Sequence, residues 1–192
     1  MLFTSGIDKK YILLALVLIA IAAPVVYNNL PEYALKRIQV FLNPEMDPRG
    51  AGYNIIQSKL AIGAGEIFGM GLLKGNQTQL GFLHPKTTDF IFSVIGEELG
   101  FIATGAITIL YIVLVTKSIY IAKTAKDNIG SYIAIGIAGI FFFHMTENIG
   151  MTIGLLPITG VPLPFVSYGG SSLVMLMASF GLILGMNQQD DA

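Results

Sequence analysis

The fold is decided by residues 90–122, which read FIFSVIGEELGFIATGAITILYIVLVTKSIYIA. A helix needs about 20 predominantly apolar residues to cross the roughly 30 Å hydrocarbon core of a bilayer, and this stretch is longer than that. Its only charged residues are Glu97, Glu98 and Lys117. The stretch therefore predicts a transmembrane helix.

Three more apolar stretches are long enough to cross a membrane, at residues 11–27, 131–156 and 165–186. With 54% hydrophobic and 12% charged residues, the chain carries more apolar surface than a soluble domain of its size can bury. We therefore predict an all-α integral membrane protein that forms a single membrane domain over residues 1–192. It has four transmembrane helices and a long extracytoplasmic loop, residues 28–89, that contains short interfacial helices.

Composition excludes several kinds of site. The chain has no cysteine, so disulfides, zinc–thiolate sites and iron–sulfur clusters are ruled out. The two histidines, His84 and His144, lie too far apart in the sequence to indicate a metal site. A formal net charge of −1 gives no reason to expect a nucleic-acid partner.

The lysines predict the orientation, because short cytoplasmic loops are enriched in Lys and Arg. Lys9 and Lys10 precede the first span, and Lys117, Lys123 and Lys126 flank the next short connection. Both termini are then cytoplasmic, and the loop 28–89 is extracytoplasmic. Cations in that loop oppose this orientation, but a loop of about 60 residues can be translocated whatever its charge. These cations are Lys36, Arg37, Arg49, Lys59, Lys74 and Lys86.

The first span also fits a second pattern. Lys9 and Lys10, followed by an apolar run that ends in Ala20, Ile21 and Ala22, resemble a secretory signal peptide. The run is long and the rest of the chain is also apolar, which favours a retained membrane helix.

The loop 28–89 is predicted to be partly helical. Apolar residues recur at helical spacing in 32–42, which suits a helix lying in the membrane interface, and residues 53–62 resume a helical pattern. The glycines that follow fit neither a GxGxxG nor a Walker A motif. They indicate close approach of backbone segments rather than nucleotide binding.

Asp89 lies where the polar loop becomes the apolar helix, in the run Thr87-Thr88-Asp89-Phe90. Spacing favours helix capping, since Thr and Asp are good N-caps and a carboxylate there meets the positive end of the helix dipole. A carboxylate at the water–lipid boundary could also act as a general base on a substrate whose tail stays in the membrane. The two roles are compatible if Thr87 or Thr88 is the cap.

Glu97 and Glu98 lie inside the predicted helix, where acidic side chains are costly and usually face a polar interior or a partner. Glu97 is eight residues after Asp89 and projects near the same helical face, so it is predicted to shape the site. Glu98 projects from a different face and is predicted to pair with another span.

Residues 154–172 combine three prolines and four glycines at a membrane boundary. Such a sequence leaves backbone N–H and C=O groups without helical partners, and lipid cannot form hydrogen bonds with them. The segment must therefore pack on protein or line a wet cavity. It is either a broken re-entrant connection or a site in which exposed amides, Ser167 and Tyr168 hold an anionic headgroup. The span before it carries a polar stripe, a feature that more often joins helices than contacts substrate. The members of the stripe are His144, Glu147 and Asn148.

Several of these runs, in this order, closely resemble the SEDS family, and its RodA branch in particular. The resemblance covers nearly all of the chain from about residue 30 onward, and such a long ordered series is specific. The runs are 36–44, 52–59, 71–77, 89–92, 96–101, 148–151 and 157–172.

The resemblance implies an enzyme of the bacterial cytoplasmic membrane that polymerises lipid II, an undecaprenyl-pyrophosphate-linked disaccharide peptide, for cell elongation, shape and division. It also implies a class B penicillin-binding protein as partner, besides membrane lipids. The family's essential acidic residue falls on Asp89, the expected catalytic base. Lys59 and Lys74 are the expected pyrophosphate-binding cations. Glu97, Ser167 and Tyr168 complete the expected substrate-binding residues. No residue is expected to bind a metal, and a divalent cation is the one cofactor that stays possible.

The chain departs from the family in length and in detail. SEDS proteins have more spans than the four predicted here, so the chain corresponds to their carboxy-terminal half. Glu66 and Met70 stand where the family more often has a small or amide residue and a lysine. Two other functions stay open. Intramembrane acidic residues and a broken helix also suit a flippase or transporter of lipid-linked precursors, and a truncated chain also suits an inactive partner-binding module.

Overall fold

The computed structural model describes the backbone of residues 9–85 and 87–191, with their side chains except those of residues 9, 12 and 187–191. Lys86, one of the predicted loop cations, lies outside the described residues. The described part of the chain consists of helices and their connections and contains no strand. The helices are α1 (Lys9–Asn28), α2 (Glu32–Leu42), α3 (Ala51–Ala64), α4 (Asn76–Gln79), α5 (Ile91–Thr124), α6 (Asn128–Thr152) and α7 (Gly170–Asp191), with a 3-10 turn at Pro44–Met46.

Among the described residues, α5 and α6 are each long and apolar enough to cross a membrane. They also form the largest helix–helix contact of the chain. A third candidate is the pair α1 and α2, which meet at a bend of 104°, whereas the apolar part of α7, Gly170–Met186, is a shorter helix. The chain is therefore an all-α membrane protein, as predicted, while the count of four spans stays a prediction.

The elements of the loop agree well with the sequence pattern. Helix α2 has the predicted bounds, and α3 extends the predicted 53–62 helix at both ends. Lys36 of α2 forms an ion pair with Asp47, with 3.6 Å between Nζ and Oδ2, so one of the unexplained loop cations has a local partner.

Two predicted span boundaries on either side of the proline- and glycine-rich segment were wrong, the end of the span 131–156 and the start of the span 165–186. Helix α6 ends at Thr152 rather than at 156, because Gly154 has a φ of +75°, outside the helical region. Helix α7 begins at Gly170 rather than at 165, because Phe165 has a φ of +63° within a turn. Residues 153–169 are thus a connection between α6 and α7.

Helix α5 is interrupted at Gly100, whose φ of 73° and ψ of −169° are not helical. The segment that follows α3 enters this break and takes up the backbone groups that the helix leaves unpaired. A Cβ on Gly69 of that segment would lie 2.2 Å from Glu98 O, so the predicted use of the loop glycines, close backbone approach, is confirmed for Gly69. The bonds are Met70 N to Glu97 O, Gly71 N to Glu98 O, Phe101 N to Glu66 O and Ile102 N to Ile67 O, of 2.9–3.2 Å.

Helix α3 lies against the first turn of α5 and the last turn of α6. The hydroxyl of Ser58 in α3 donates to Thr152 O at 2.6 Å, and its oxygen lies 2.6 Å from the hydroxyl of Ser93 in α5. These contacts gather the loop, the start of α5 and the α6–α7 connection at one end of the molecule.

Candidate active site around Asp89

Asp89 lies in the turn directly before α5 and is half-buried. The N-cap of α5 is Phe90, and no side chain caps this helix. The capping interpretation of the Thr87-Thr88-Asp89 run was therefore wrong. Within residues 9–85 and 87–191 the Asp89 carboxylate has no hydrogen bond or ion pair, so it is available to a ligand.

The backbone of this turn is held firmly although the Asp89 side chain is not. Three consecutive carbonyl groups accept hydrogen bonds from α6 and from the α6–α7 connection. The bonds run from Tyr168 N to Thr87 O (3.0 Å), from Ser167 Oγ to Thr88 O (2.6 Å) and from Asn148 Nδ2 to Asp89 O (3.0 Å).

The α6–α7 connection passes beside the Asp89 carboxylate at Gly160. A Cβ built on Gly160 would lie 3.3 Å from Asp89 Oδ2, and Gly160 has a φ of +76°, which side chains rarely allow. A side chain at this position would therefore strain the backbone and make a tight contact with the carboxylate.

The connection itself packs on protein, which is one of the two alternatives that its sequence left open. Leu163 is 1% exposed, and Pro164 O accepts a hydrogen bond from the hydroxyl of Tyr111 in α5. The polar stripe of α6 binds it as well, rather than joining another helix. Its bonds are Asn148 Nδ2 to Val161 O (2.8 Å), His144 Nδ1 to Pro162 O (3.1 Å) and Thr159 Oγ1 to Glu147 Oε1 (2.7 Å).

The two predicted pyrophosphate ligands are both exposed but lie in different places. Lys59 extends from α3 across Gly154, where a Cβ would lie 2.4 Å from its Nζ. Lys74 folds its alkyl chain back over Gly71 of its own loop. Lys59 thus contacts the start of the connection that passes Asp89 further on, at Gly160.

Glu97 is fully buried and binds the loop. Its carboxylate accepts hydrogen bonds from Gln77 N (2.7 Å), Thr78 N (3.0 Å) and Thr78 Oγ1 (2.6 Å) at the start of α4. Its neighbour Glu98 accepts from Gln79 Nε2 of α4 at 3.0 Å. The prediction that Glu98 pairs with another span was therefore wrong, because α4 reaches both carboxylates.

Ser167 and Tyr168 differ in what they can offer a ligand. The Ser167 hydroxyl donates to Thr88 O and accepts from Leu163 N at 2.8 Å, so both of its functions are in use. The Tyr168 side chain is 80% exposed beside the turn and is open to contact.

Within the described part of the chain, no group of three or more His, Asp or Glu side chains is arranged to hold a metal ion. An apolar cleft of about 200 Å³ lies between α5 and the connection. Its lining residues are Ile107, Leu110, Tyr111, Leu114, Phe165 and Val166.

Sequence reasoning placed Asn148 in a polar stripe but missed its bond to the Asp89 turn. The sequence signal was an amide within an apolar span, which indicates a buried polar contact. The identity of the partner follows from the fold, since Asp89 O and Val161 O lie on other segments of the chain than Asn148.

Comparison with known proteins places these features in a family. The chain matches the profile of the FtsW/RodA/SpoVE family, described as "Cell cycle protein", over residues 1–192. It is 46% identical over 187 residues to the peptidoglycan glycosyltransferase MrdB of Escherichia coli K12, covering 97% of this chain and 50% of MrdB. It is 46% identical to the peptidoglycan glycosyltransferase RodA of Treponema pallidum, covering 82% of this chain and 36% of that protein.

A solved structure is similar in fold as well as in sequence. It is described as "Structural coordination of polymerization and crosslinking by a peptidoglycan synthase complex" and matches with a TM-score of 0.80 and 29% identity. The match covers 98% of this chain and 52% of that one. The chain thus spans about half the length of MrdB and of the chain in that structure. With its apolar helices and bacterial relatives, it is a bacterial membrane protein that belongs to the SEDS (FtsW/RodA/SpoVE) family.

Proposed function

We propose that this chain provides the base-bearing part of a peptidoglycan glycosyltransferase that polymerises lipid II. The relatives MrdB and RodA bear the name of this activity. The observation that carries the proposal is the state of Asp89. Its carboxylate has no partner among the described residues, while its backbone is bonded to Asn148 and the flanking carbonyls are bonded to the connection.

Asp89 is the proposed general base. Its carboxylate takes the proton of an acceptor sugar hydroxyl as that oxygen attacks the anomeric carbon of the donor. The bond between that carbon and the polyprenyl pyrophosphate breaks, and the pyrophosphate leaves with the electron pair. A base at the first turn of an apolar helix suits a substrate with a polar head outside the bilayer and a tail within it.

The leaving pyrophosphate needs cations near it in the transition state. Lys59 and Lys74 are the proposed ligands, and Lys59 contacts the start of the connection that also passes Asp89. Tyr168 is the proposed contact for the polar head. Glu97 and Ser167 act in this proposal by holding the loop and the Asp89 turn, since their polar atoms are already bonded.

The proposal extends to the lipid tail, the partner and the cofactor. The apolar cleft beneath the connection is the proposed contact for the first isoprenoid units. A class B penicillin-binding protein is the proposed partner, since the similar solved structure is described as a complex of polymerisation and crosslinking. A divalent cation on the pyrophosphate is the one proposed cofactor, which rates measured with Mg²⁺ and with EDTA would test.

The decisive experiment measures glycan polymer formed from purified lipid II. The chain is assayed alone and together with any separately encoded amino-terminal half, comparing wild type, Asp89→Asn and Asp127→Asn. Asp127 is the matched control, because it caps α6 at the far end of α5 by accepting from Gly130 N, and Asn is an equally good cap. We expect Asp89→Asn to lose at least about 100-fold in rate, the scale of general-base catalysis, and Asp127→Asn to keep it.

Normal polymerisation by Asp89→Asn would contradict the base assignment. If no combination polymerises lipid II but lipid II crosses a liposome bilayer, the chain is a transporter. The buried acidic residues that suggested transport, Glu97 and Glu98, are bonded to α4, which leaves that alternative with less support than the sequence suggested.

A further inference from the structure

Asn148 is a buried side chain that connects the two segments on either side of the Asp89 carboxylate. It is 0% exposed, and its Nδ2 donates to Asp89 O at 3.0 Å and to Val161 O at 2.8 Å. Val161 directly follows Gly160, where the connection passes the carboxylate. One amide group therefore fixes the backbone of Asp89 and the backbone opposite its side chain.

The contacts determine how the amide is oriented. Both partners are carbonyl oxygens, so the side of Asn148 that faces them must be the NH₂ group. Its Oδ1 then points away, and it is buried without a hydrogen-bond partner among the described residues. An unmatched buried acceptor costs free energy, which a residue needed only for packing would avoid.

The other two bonds to this turn cannot replace Asn148. Ser167 Oγ and Tyr168 N bind the carbonyl oxygens of Thr88 and Thr87, and neither binds the carbonyl oxygen of Asp89 itself. Both of them also belong to the connection, whereas Asn148 belongs to α6. The amide thus anchors the backbone of Asp89 to a long helix, α6, rather than to another loop.

We propose that Asn148 is a positioning residue, which holds Asp89 and Gly160 in register so that the carboxylate meets the acceptor hydroxyl. This rests on the proposed role of Asp89 as the base. Misplacement of a reacting group by about 1 Å can cost about 100-fold in rate. Loss of Asn148 therefore lowers kcat more than it weakens substrate binding.

The test compares Asn148→Leu, Asn148→Asp and Thr152→Val in the assembly that polymerises lipid II. Asn148→Leu removes both donations at similar volume, and Asn148→Asp keeps the shape but turns carboxylate oxygens toward two carbonyls. Thr152 is the control, because it is also 0% exposed, lies one turn further along α6 and its hydroxyl bonds only Ile149 O of its own helix. We expect kcat to fall roughly 10- to 100-fold in both Asn148 variants, with KM within about twofold, and Thr152→Val to match wild type.

Hydrogen–deuterium exchange gives a readout that does not depend on activity. Peptides covering 87–94 and 158–166 are expected to exchange faster in Asn148→Leu and unchanged in Thr152→Val, with both variants monodisperse by size exclusion. If Asn148→Leu does not fold, Asn148→Asp serves for the same comparison.

The outcomes separate this proposal from the one it rests on. Wild-type kcat in Asn148→Leu beside an inactive Asp89→Asn would overturn the role of Asn148 and leave the base assignment standing. Unchanged exchange in Asn148→Leu would overturn it as well. A normal rate for Asp89→Asn would instead overturn the base assignment, and the role of Asn148 with it.

Discussion

At the scale of single residues, Gly160 is a position where substitution is expected to affect the reaction, because it adjoins the Asp89 carboxylate. We predict that Gly160→Ala lowers the polymerisation rate about tenfold without unfolding the protein. A left-handed backbone costs an L-residue about 1–2 kcal/mol, which is enough for the local backbone to shift. The added methyl group would also lie 3.3 Å from Asp89 Oδ2 and crowd the acceptor hydroxyl. The measurement is the initial rate with lipid II.

Gly139→Ala is the control for this change. Gly139 lies within α6, and no atom lies within 4 Å of the position of an added Cβ. Its rate is expected to equal that of wild type. If the two alanine variants have the same rate, the approach of the connection to Asp89 does not matter to the reaction.

The candidate residues could be found in the sequence, but what they touch could not. Asp89 stands out as a carboxylate at the start of an apolar helix, and Glu97 as an acidic residue within it. Periodicity placed Glu97 near the face of Asp89, yet its carboxylate binds Thr78, because α4 packs against that side of α5. A contact of this kind depends on how the loop folds back, which local spacing does not encode.

At the scale of secondary structure, the break in α5 joins the loop to the helix that starts at Asp89. Gly100 adopts a φ of 73° and a ψ of −169°, a region essentially restricted to glycine, and an added Cβ would lie 2.3 Å from Gly69 N. We predict that Gly100→Ala expels residues 65–71 from the break and costs at least about 1–3 kcal/mol. Thermal unfolding in detergent and limited proteolysis of the loop measure the effect.

Gly105→Ala provides the comparison within the same helix. Gly105 has helical geometry and open space around an added Cβ, so alanine is expected to be neutral or to stabilise by about 0.5–1 kcal/mol. Equal melting temperatures and equal cleavage for the two variants would show that the loop does not depend on the break.

Elements with a clear local pattern were predictable, and interruptions caused by packing were not. Helix α2 has the predicted bounds because its apolar residues repeat at helical spacing up to Asn43, which ends the helix. The break in α5 was missed because Gly100 lies within a long stretch that is apolar on average and so resembles one uninterrupted span. The lost helical bonds are compensated by the entering loop, which the local sequence does not reveal. The end of α6 and the start of α7 were missed because the connection is rich in apolar residues. Its hydropathy therefore resembles that of a transmembrane helix.

At the scale of the whole molecule, the described contacts bring four separate segments to one end. Helix α3, the turn at Asp89, the end of α6 and the α6–α7 connection are linked by hydrogen bonds through Ser58, Asn148 and Ser167. The outward faces of α5 and α6 are apolar, as Leu110 and Phe142 show with 67% and 55% exposure. Such faces suit lipid or further membrane helices.

This arrangement predicts which end of the molecule lies outside the cytoplasm. Helix α5 separates Asp89 from Lys123, in its last turn, and from Lys126, which follows it. At about 1.5 Å per residue its 34 residues are long enough to span a bilayer. The chain has no cysteine, so single introduced thiols report their location against a blank wild type. In intact cells, a membrane-impermeant maleimide is expected to label Glu45→Cys, in the exposed loop, and to label Thr124→Cys, at the end of α5, only after permeabilisation. The reverse pattern would place Asp89 on the cytoplasmic side and contradict polymerisation outside the membrane.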